Sequence, residues 1–125
     1  MDILIDFDGT CVTHDFPYIG KDIGAVPVLK ELVTKGNRLI LFTMRSDNNE
    51  AMYLTQAVNW FKDNGIQLYG IQTNPTQKQW TDSPKAYGQM LIDDIGLGIP
   101  LKLDIKLSDK PFVDWEGVKQ LLKMV

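Results

Sequence analysis

Ile3-Leu4-Ile5-Asp6-Phe7-Asp8-Gly9-Thr10 passes within eight residues from an unbroken apolar run to a pair of carboxylates. A run that is apolar throughout, rather than alternating, marks a strand covered on both faces, the condition of parallel strands in α/β proteins. Such a strand ends at Asp6. Ligands of open α/β sheets bind in the crevice beyond the carboxyl ends of the strands, so Asp6 and Asp8 arrive where these folds carry out chemistry. Side chains two apart on an extended chain share a face, and the pair can address one metal ion or one substrate group together. Neighbouring carboxylates also separate in proton affinity, so that one stays ionised while the other carries a proton. Gly9 permits a tight turn after them.

The same pattern recurs downstream. After a turn-rich, aromatic stretch from Cys11 to Gly24, Pro27 opens a helix with Val28, Leu29, Leu32 and Val33 on one face, stopped by Gly36-Asn37. Leu39-Ile40-Leu41-Phe42 is a second apolar run, which predicts a right-handed strand–helix–strand unit with parallel strands and places Thr43 at a strand end. Ser46 or Asp47 caps a second helix carrying Ala51, Leu54, Ala57, Val58 and Phe61 as far as Asn64-Gly65. Ile66 to Ile71 reads as a third strand and Thr73 to Pro84 as a polar, turn-rich segment. Met90-Leu91-Ile92 is a short fourth strand that stops at Asp93-Asp94. Leu101, Leu103, Ile105 and Leu107 alternate with Lys102, Asp104 and Lys106, the period of a half-exposed strand near a sheet edge. Asp114 caps a closing helix with Val118, Leu121, Leu122 and Val125 as its stripe. The expected fold is α/β: one Rossmann-like domain over 1–125, a three-layer sandwich around a mainly parallel sheet.

With 125 residues, 44% of them hydrophobic, the chain matches one ordinary domain with a real core. Its 13 basic and 16 acidic residues are scattered and leave a net charge of −3, which offers no patch to nucleic acid or an anionic membrane. Cys11 has no partner for a disulfide, no basic-then-apolar leader opens the chain, and no stretch approaches the roughly 20 apolar residues of a membrane span. A cytoplasmic location is expected.

Asp6-Phe7-Asp8-Gly9-Thr10 closing a hydrophobic strand resembles the first motif of the haloacid dehalogenase superfamily of phosphohydrolases. Thr43 resembles the second motif, Lys85 the third and Leu91-Ile92-Asp93-Asp94 the fourth, in the family's order. The eight positions from Lys85 to Asp93 are similar to the spacing of compact members. Each match alone has an ordinary reading, as a turn, a strand-end threonine, a surface lysine or a loop acid pair. Four in order at strand-linked positions are far harder to reach by coincidence. The intervals from Asp6 to Thr43 and from Thr43 to Lys85 are already filled by a helix, a strand and loops. The resemblance is therefore to the capless type, without a cap domain.

This resemblance implies an enzyme, a Mg2+-dependent phosphatase that hydrolyses a phosphate monoester through an aspartyl-phosphate on Asp6, with Asp8 as general acid and base. Asp6, Asp94 and the backbone carbonyl of Asp8 would hold Mg2+, with Asp93 acting through water or orienting its neighbour. Thr43 and Lys85 would bind phosphate, with Lys78 as the competing lysine. The acid at Asp8 favours a phosphatase over a dehalogenase, because an alkoxide leaving group needs a proton and a halide does not. Arg45 is a candidate for the phosphate or a second anion, against a pairing with Asp47 or Glu50. His14 is a candidate for steering substrate, while Trp60, Trp80 and Trp115 read as packing aromatics, Trp80 being placed to touch substrate. A capless site excludes water poorly, so a large substrate, a second copy of the chain in a homo-oligomer, or the loop from His14 to Ile23 is expected to close it. Small phosphorylated metabolites, sugar phosphates among them, are the substrate class by analogy. Two other classes compete. A receiver-like phosphoacceptor domain needs an acid at the end of the third strand, where Gly70-Ile71-Gln72-Thr73 has none. A non-catalytic phosphate-binding domain would not need both Asp6 and Asp8.

Overall fold

The computed structural model describes residues 1–123. Four short strands, β1 (Asp2–Ile5), β2 (Arg38–Leu41), β3 (Leu68–Ile71) and β4 (Met90–Ile92), form one parallel sheet in the order β3-β2-β1-β4. Helix α1 (Ala25–Thr34) connects β1 to β2, and α2 (Tyr53–Asp63) connects β2 to β3. The result is an α/β, Rossmann-like fold. Ile3 and Ile5 of β1, with Leu39, Leu41 and Ile92, pack in one core with Val28, Leu29 and Leu32 of α1, Ala57 and Phe61 of α2, and Val118 of α3 (Trp115–Lys123). Leu4 and Ile40, pointing the other way as strand alternation requires, meet Ala86 instead.

The third layer is thus the connection from β3 to β4, which holds a single 3-10 turn, Gln77–Gln79. Two buried amides organise it. Gln77 accepts the N–H groups of Asn74 and Tyr87 and donates to the carbonyls of Ser83 and Lys85, while Asn74 donates to Asp2. These side chains satisfy backbone groups that a helix would pair internally.

Ile5 pairs with Leu41 on one side and Ile92 on the other, so β1, β2 and β4 end at one level. The chain leaves β1 for β2, yet β4 lies on the opposite flank. The crevice between the ends of β1 and β4 is the topological switch point where such sheets bind ligands.

Several elements depart from expectation. Helix α1 begins two residues before Pro27, which sits in the first turn where its missing N–H costs nothing. Helix α2 begins at Tyr53 rather than behind Ser46 or Asp47, and Ala51 lies outside it. Asp47 still serves this end: its carboxylate accepts the backbone N–H (2.9 Å) and hydroxyl (2.6 Å) of Thr55 from eight residues upstream. Strand β3 starts at Leu68, not Ile66. The strand expected over 101–107 is corrected to Leu101–Lys102 (β5), which pairs antiparallel with Phe112–Val113 (β6) as a separate ribbon. Asp104 ends it by accepting the N–H of Lys106 on its side chain and those of Leu107 and Ser108 on its carbonyl, leaving Leu103 and Ile105 exposed. On α3, Val118 is buried and Leu122 packs on the core, Leu121 is half-exposed, and Val125 lies outside the described residues. No helix among the described residues is long and apolar enough to cross a membrane.

Candidate active site

Asp6 follows β1, and Asp93 and Asp94 follow β4. The Ile5–Ile92 register sets them side by side, and one oxygen from each lies within 4.8 Å of the others. Three carboxylate oxygens at this spacing suit a hard dication such as Mg2+, which takes oxygen ligands and keeps several waters. Burial pushes the Asp6 carboxyl up to about 8, helped by the charge of Asp93 and opposed by hydrogen bonds from the Thr10 hydroxyl and the Phe7 N–H. Burial likewise raises Asp93, with Asp94 adding to it. Without a cation, the crowded charge is relieved by taking up a proton.

Thr10 ties the two strand ends together. Its buried hydroxyl donates to Asp6 Oδ2 (2.7 Å) and accepts the N–H of Asp94 (3.0 Å), and its carbonyl accepts the indole N–H of Trp115 (2.8 Å). Gly9 has φ +79°, and a Cβ there would fall on the imidazole of His14. That close approach seats His14 Nε2 at 2.7 Å from Asp94 Oδ2, so the loop histidine belongs to the site through Asp94.

Asp8 does not join the carboxylate cluster. A turn begins at Phe7, whose carbonyl accepts the N–H groups of Thr10 and Cys11, and this ends the extended geometry in which Asp6 and Asp8 would share a face. The Asp8 carboxylate faces Arg45 instead, taking Nε–H (2.9 Å) and Nη2–H (2.8 Å). Arg45 as a direct phosphate ligand is corrected accordingly: the residue is 2% exposed and its guanidinium is engaged by Asp8 and by the carbonyls of Tyr18 and Tyr53. It pairs with neither Asp47 nor Glu50.

Thr43 stands at the end of β2 as expected. Its hydroxyl accepts the N–H of Arg45, which leaves the hydroxyl proton free to donate. Its peptide groups are clasped by the Gln72 amide, which accepts from Thr43 N–H (2.9 Å) and donates to its carbonyl (2.6 Å). Gln72 adopts φ 66°, a left-handed conformation disfavoured for glutamine and held here by these bonds.

Lys85 is not brought to the carboxylates. Gln77 holds its carbonyl, Ser83 holds its N–H, and the side chain is exposed without an acidic partner among the described residues; Lys78 is exposed as well. The lysine that lines the open cleft of about 410 Å³ beside His14 and Asp94 is Lys110, with Leu101 and Pro111. It arrives because Val113 N–H bonds the Gly9 carbonyl (3.0 Å), laying the β5–β6 ribbon against the Asp6 loop. Nothing local in the sequence singles out Lys110 or Gln72. Of the tryptophans, Trp60 packs on Phe7 and Phe61, Trp115 is buried, and Trp80 stacks edge-on against Tyr87.

No family model and no curated protein matches the chain. A solved structure does: a conserved protein from Bacteroides thetaiotaomicron is 30% identical over 99% of this chain and 90% of that one, with a TM-score of 0.78.

Proposed function

The chain belongs to the same family as this conserved Bacteroides thetaiotaomicron protein, and from the site on that shared fold we propose a phosphohydrolase of haloacid dehalogenase type, cleaving a phosphate monoester. The observation that carries the reading is the convergence of Asp6, from one central strand end, with Asp93 and Asp94, from its neighbour, at the switch point of the sheet. A hard dication held by Asp6, Asp93 and Asp94, Mg2+ by donor type, would offset the charge of the carboxylates and of the transferring phosphoryl group.

The roles of the chain's own residues follow. An Asp6 oxygen attacks phosphorus, the ester oxygen leaves with a proton from Asp8, and water then attacks phosphorus, returning a proton to Asp8 and releasing phosphate. The free hydroxyl proton of Thr43 donates to a phosphate oxygen. Lys110 supplies the cation lining the cleft, and Lys85 is the lysine of the family pattern; Lys110→Ala and Lys85→Ala separate the two.

The test is release of inorganic phosphate from an alkyl phosphate, with Mg2+ and with excess chelator, by wild type and Asp6→Asn. Turnover that needs Mg2+ and falls by several orders of magnitude in Asp6→Asn is expected. Undiminished turnover in Asp6→Asn, in material free of host phosphatases, sinks the reading.

A further inference from the structure

Resting on the phosphohydrolase reading, we propose that Arg45 is a positioning residue for Asp8: a buried guanidinium that fixes the orientation of the proton-transferring carboxylate. No other group among the described residues donates to the Asp8 carboxylate, so its orientation depends on the Nε and Nη2 bonds of Arg45 alone. A two-pronged guanidinium–carboxylate pair fixes the plane of both groups, which a single lysine ammonium cannot do. Each Asp8 oxygen keeps a second acceptor direction for the proton in transit.

Arg45 is itself held from several sides. Its backbone N–H bonds the Thr43 hydroxyl, and its guanidinium donates to the carbonyls of Tyr18 (2.8 Å) and Tyr53 (3.4 Å). It lies over the rings of Phe7 and Phe16, at 5.0 and 5.1 Å, and Phe16 in turn meets Tyr53 at 5.0 Å. The core, the start of α2 and the loop after Gly9 thus all bear on one side chain, and through it on Asp8. Ion pairs this enclosed bring little net stability over apolar replacements, which points to a role in orientation.

The leaving group reads that role. An alkyl phosphate needs a proton on its departing oxygen, whereas 4-nitrophenolate leaves without one, so first-turnover rates on the two esters separate proton delivery from everything else. In Mg2+-loaded Arg45→Lys, the first turnover of the alkyl ester should fall about 100-fold or more, within the range of general acid–base catalysis. The first-turnover release of 4-nitrophenolate should fall far less, with Mg2+ affinity retained. Adding Arg45→Lys to Asp8→Asn should change alkyl turnover by less than about threefold, since the group it positions is gone. Phe16→Ala, at an exposed ring, loosens the guanidinium without emptying the core and should show the same selectivity at smaller size, should Arg45→Lys fail to fold. Equal losses on both esters, or a full Arg45→Lys loss persisting in the Asp8→Asn background, overturns the inference while the phosphohydrolase reading stands. Wild type that hydrolyses neither ester overturns that reading, and the inference with it.

Discussion

Thr10 joins the ends of β1 and β4 through one oxygen, giving its proton to Asp6 and taking the N–H of Asp94. Thr10→Val keeps the shape and removes both bonds, leaving the half-buried Asp6 carboxyl with the Phe7 N–H but without its hydroxyl donor, and the Asp94 N–H without its acceptor. The cost is about 1–3 kcal/mol by urea unfolding of metal-free protein, and Thr10→Ser, which keeps the hydroxyl, should lose less. The Thr10 bond also lowers the Asp6 carboxyl against burial. In Thr10→Val that carboxyl should rise, so the pH at which Mg2+ binding is half-complete should move upward, measured by calorimetric titration across pH. A Mg2+ profile identical to wild type would show that the hydroxyl does not act on Asp6.

Helix α3 reaches this loop through its first residue: the Trp115 indole, 3% exposed, donates to the Thr10 carbonyl. Trp115→Phe retains most of the buried apolar area but leaves that carbonyl unpaired, a loss of about 1–3 kcal/mol by urea unfolding. A change within a few tenths would mean that water reaches the carbonyl. The strands that frame the site were legible because burial on both faces writes β1 and β2 as continuous apolar runs, and the edge strand β4 keeps such a run although Leu91 on its outer face is 49% exposed; each run ends at a polar residue. Asp6, Asp93 and Asp94 were legible for the same reason. Alternation over 101–107 misled, since a local side-chain bond at Asp104 overrode it, and the start of α2 was hidden because its cap, Asp47, acts from outside the helix. The Asp8–Arg45 pair spans 37 positions and the Thr43–Gln72 clasp 29, and contacts at such separations leave no periodicity or spacing to read.

The stability of the whole molecule should carry the signature of the carboxylate cluster. Asp6 is raised to about 8 in the fold, whereas an unfolded aspartate titrates near about 3.9. Between these values the folded chain holds a proton that the unfolded chain has released, so the contribution of Asp6 is full below the lower value and is lost as pH rises through the higher. Asp2, where burial is outweighed by the bonds of Arg38 and Asn74, and Asp47, bonded by Thr55, are lowered instead. Their contributions are lost as pH falls, at the acid end, and do not mask the slope. On the proposed reading, a dication on Asp6, Asp93 and Asp94 would take the place of the proton, binding the ionised ligands of the folded state only, so that its stabilisation would grow with pH. In chelator, Tm should therefore fall from pH 5 to pH 8.5, and millimolar Mg2+ should restore it, with the gap between the two conditions widening as pH rises. Asp6→Asn should flatten the slope in chelator and remove most of the gap. Scanning calorimetry reads all four conditions; a Mg2+ gain as large at pH 5 as at pH 8.5 would mean that the dication binds elsewhere than on these three aspartates.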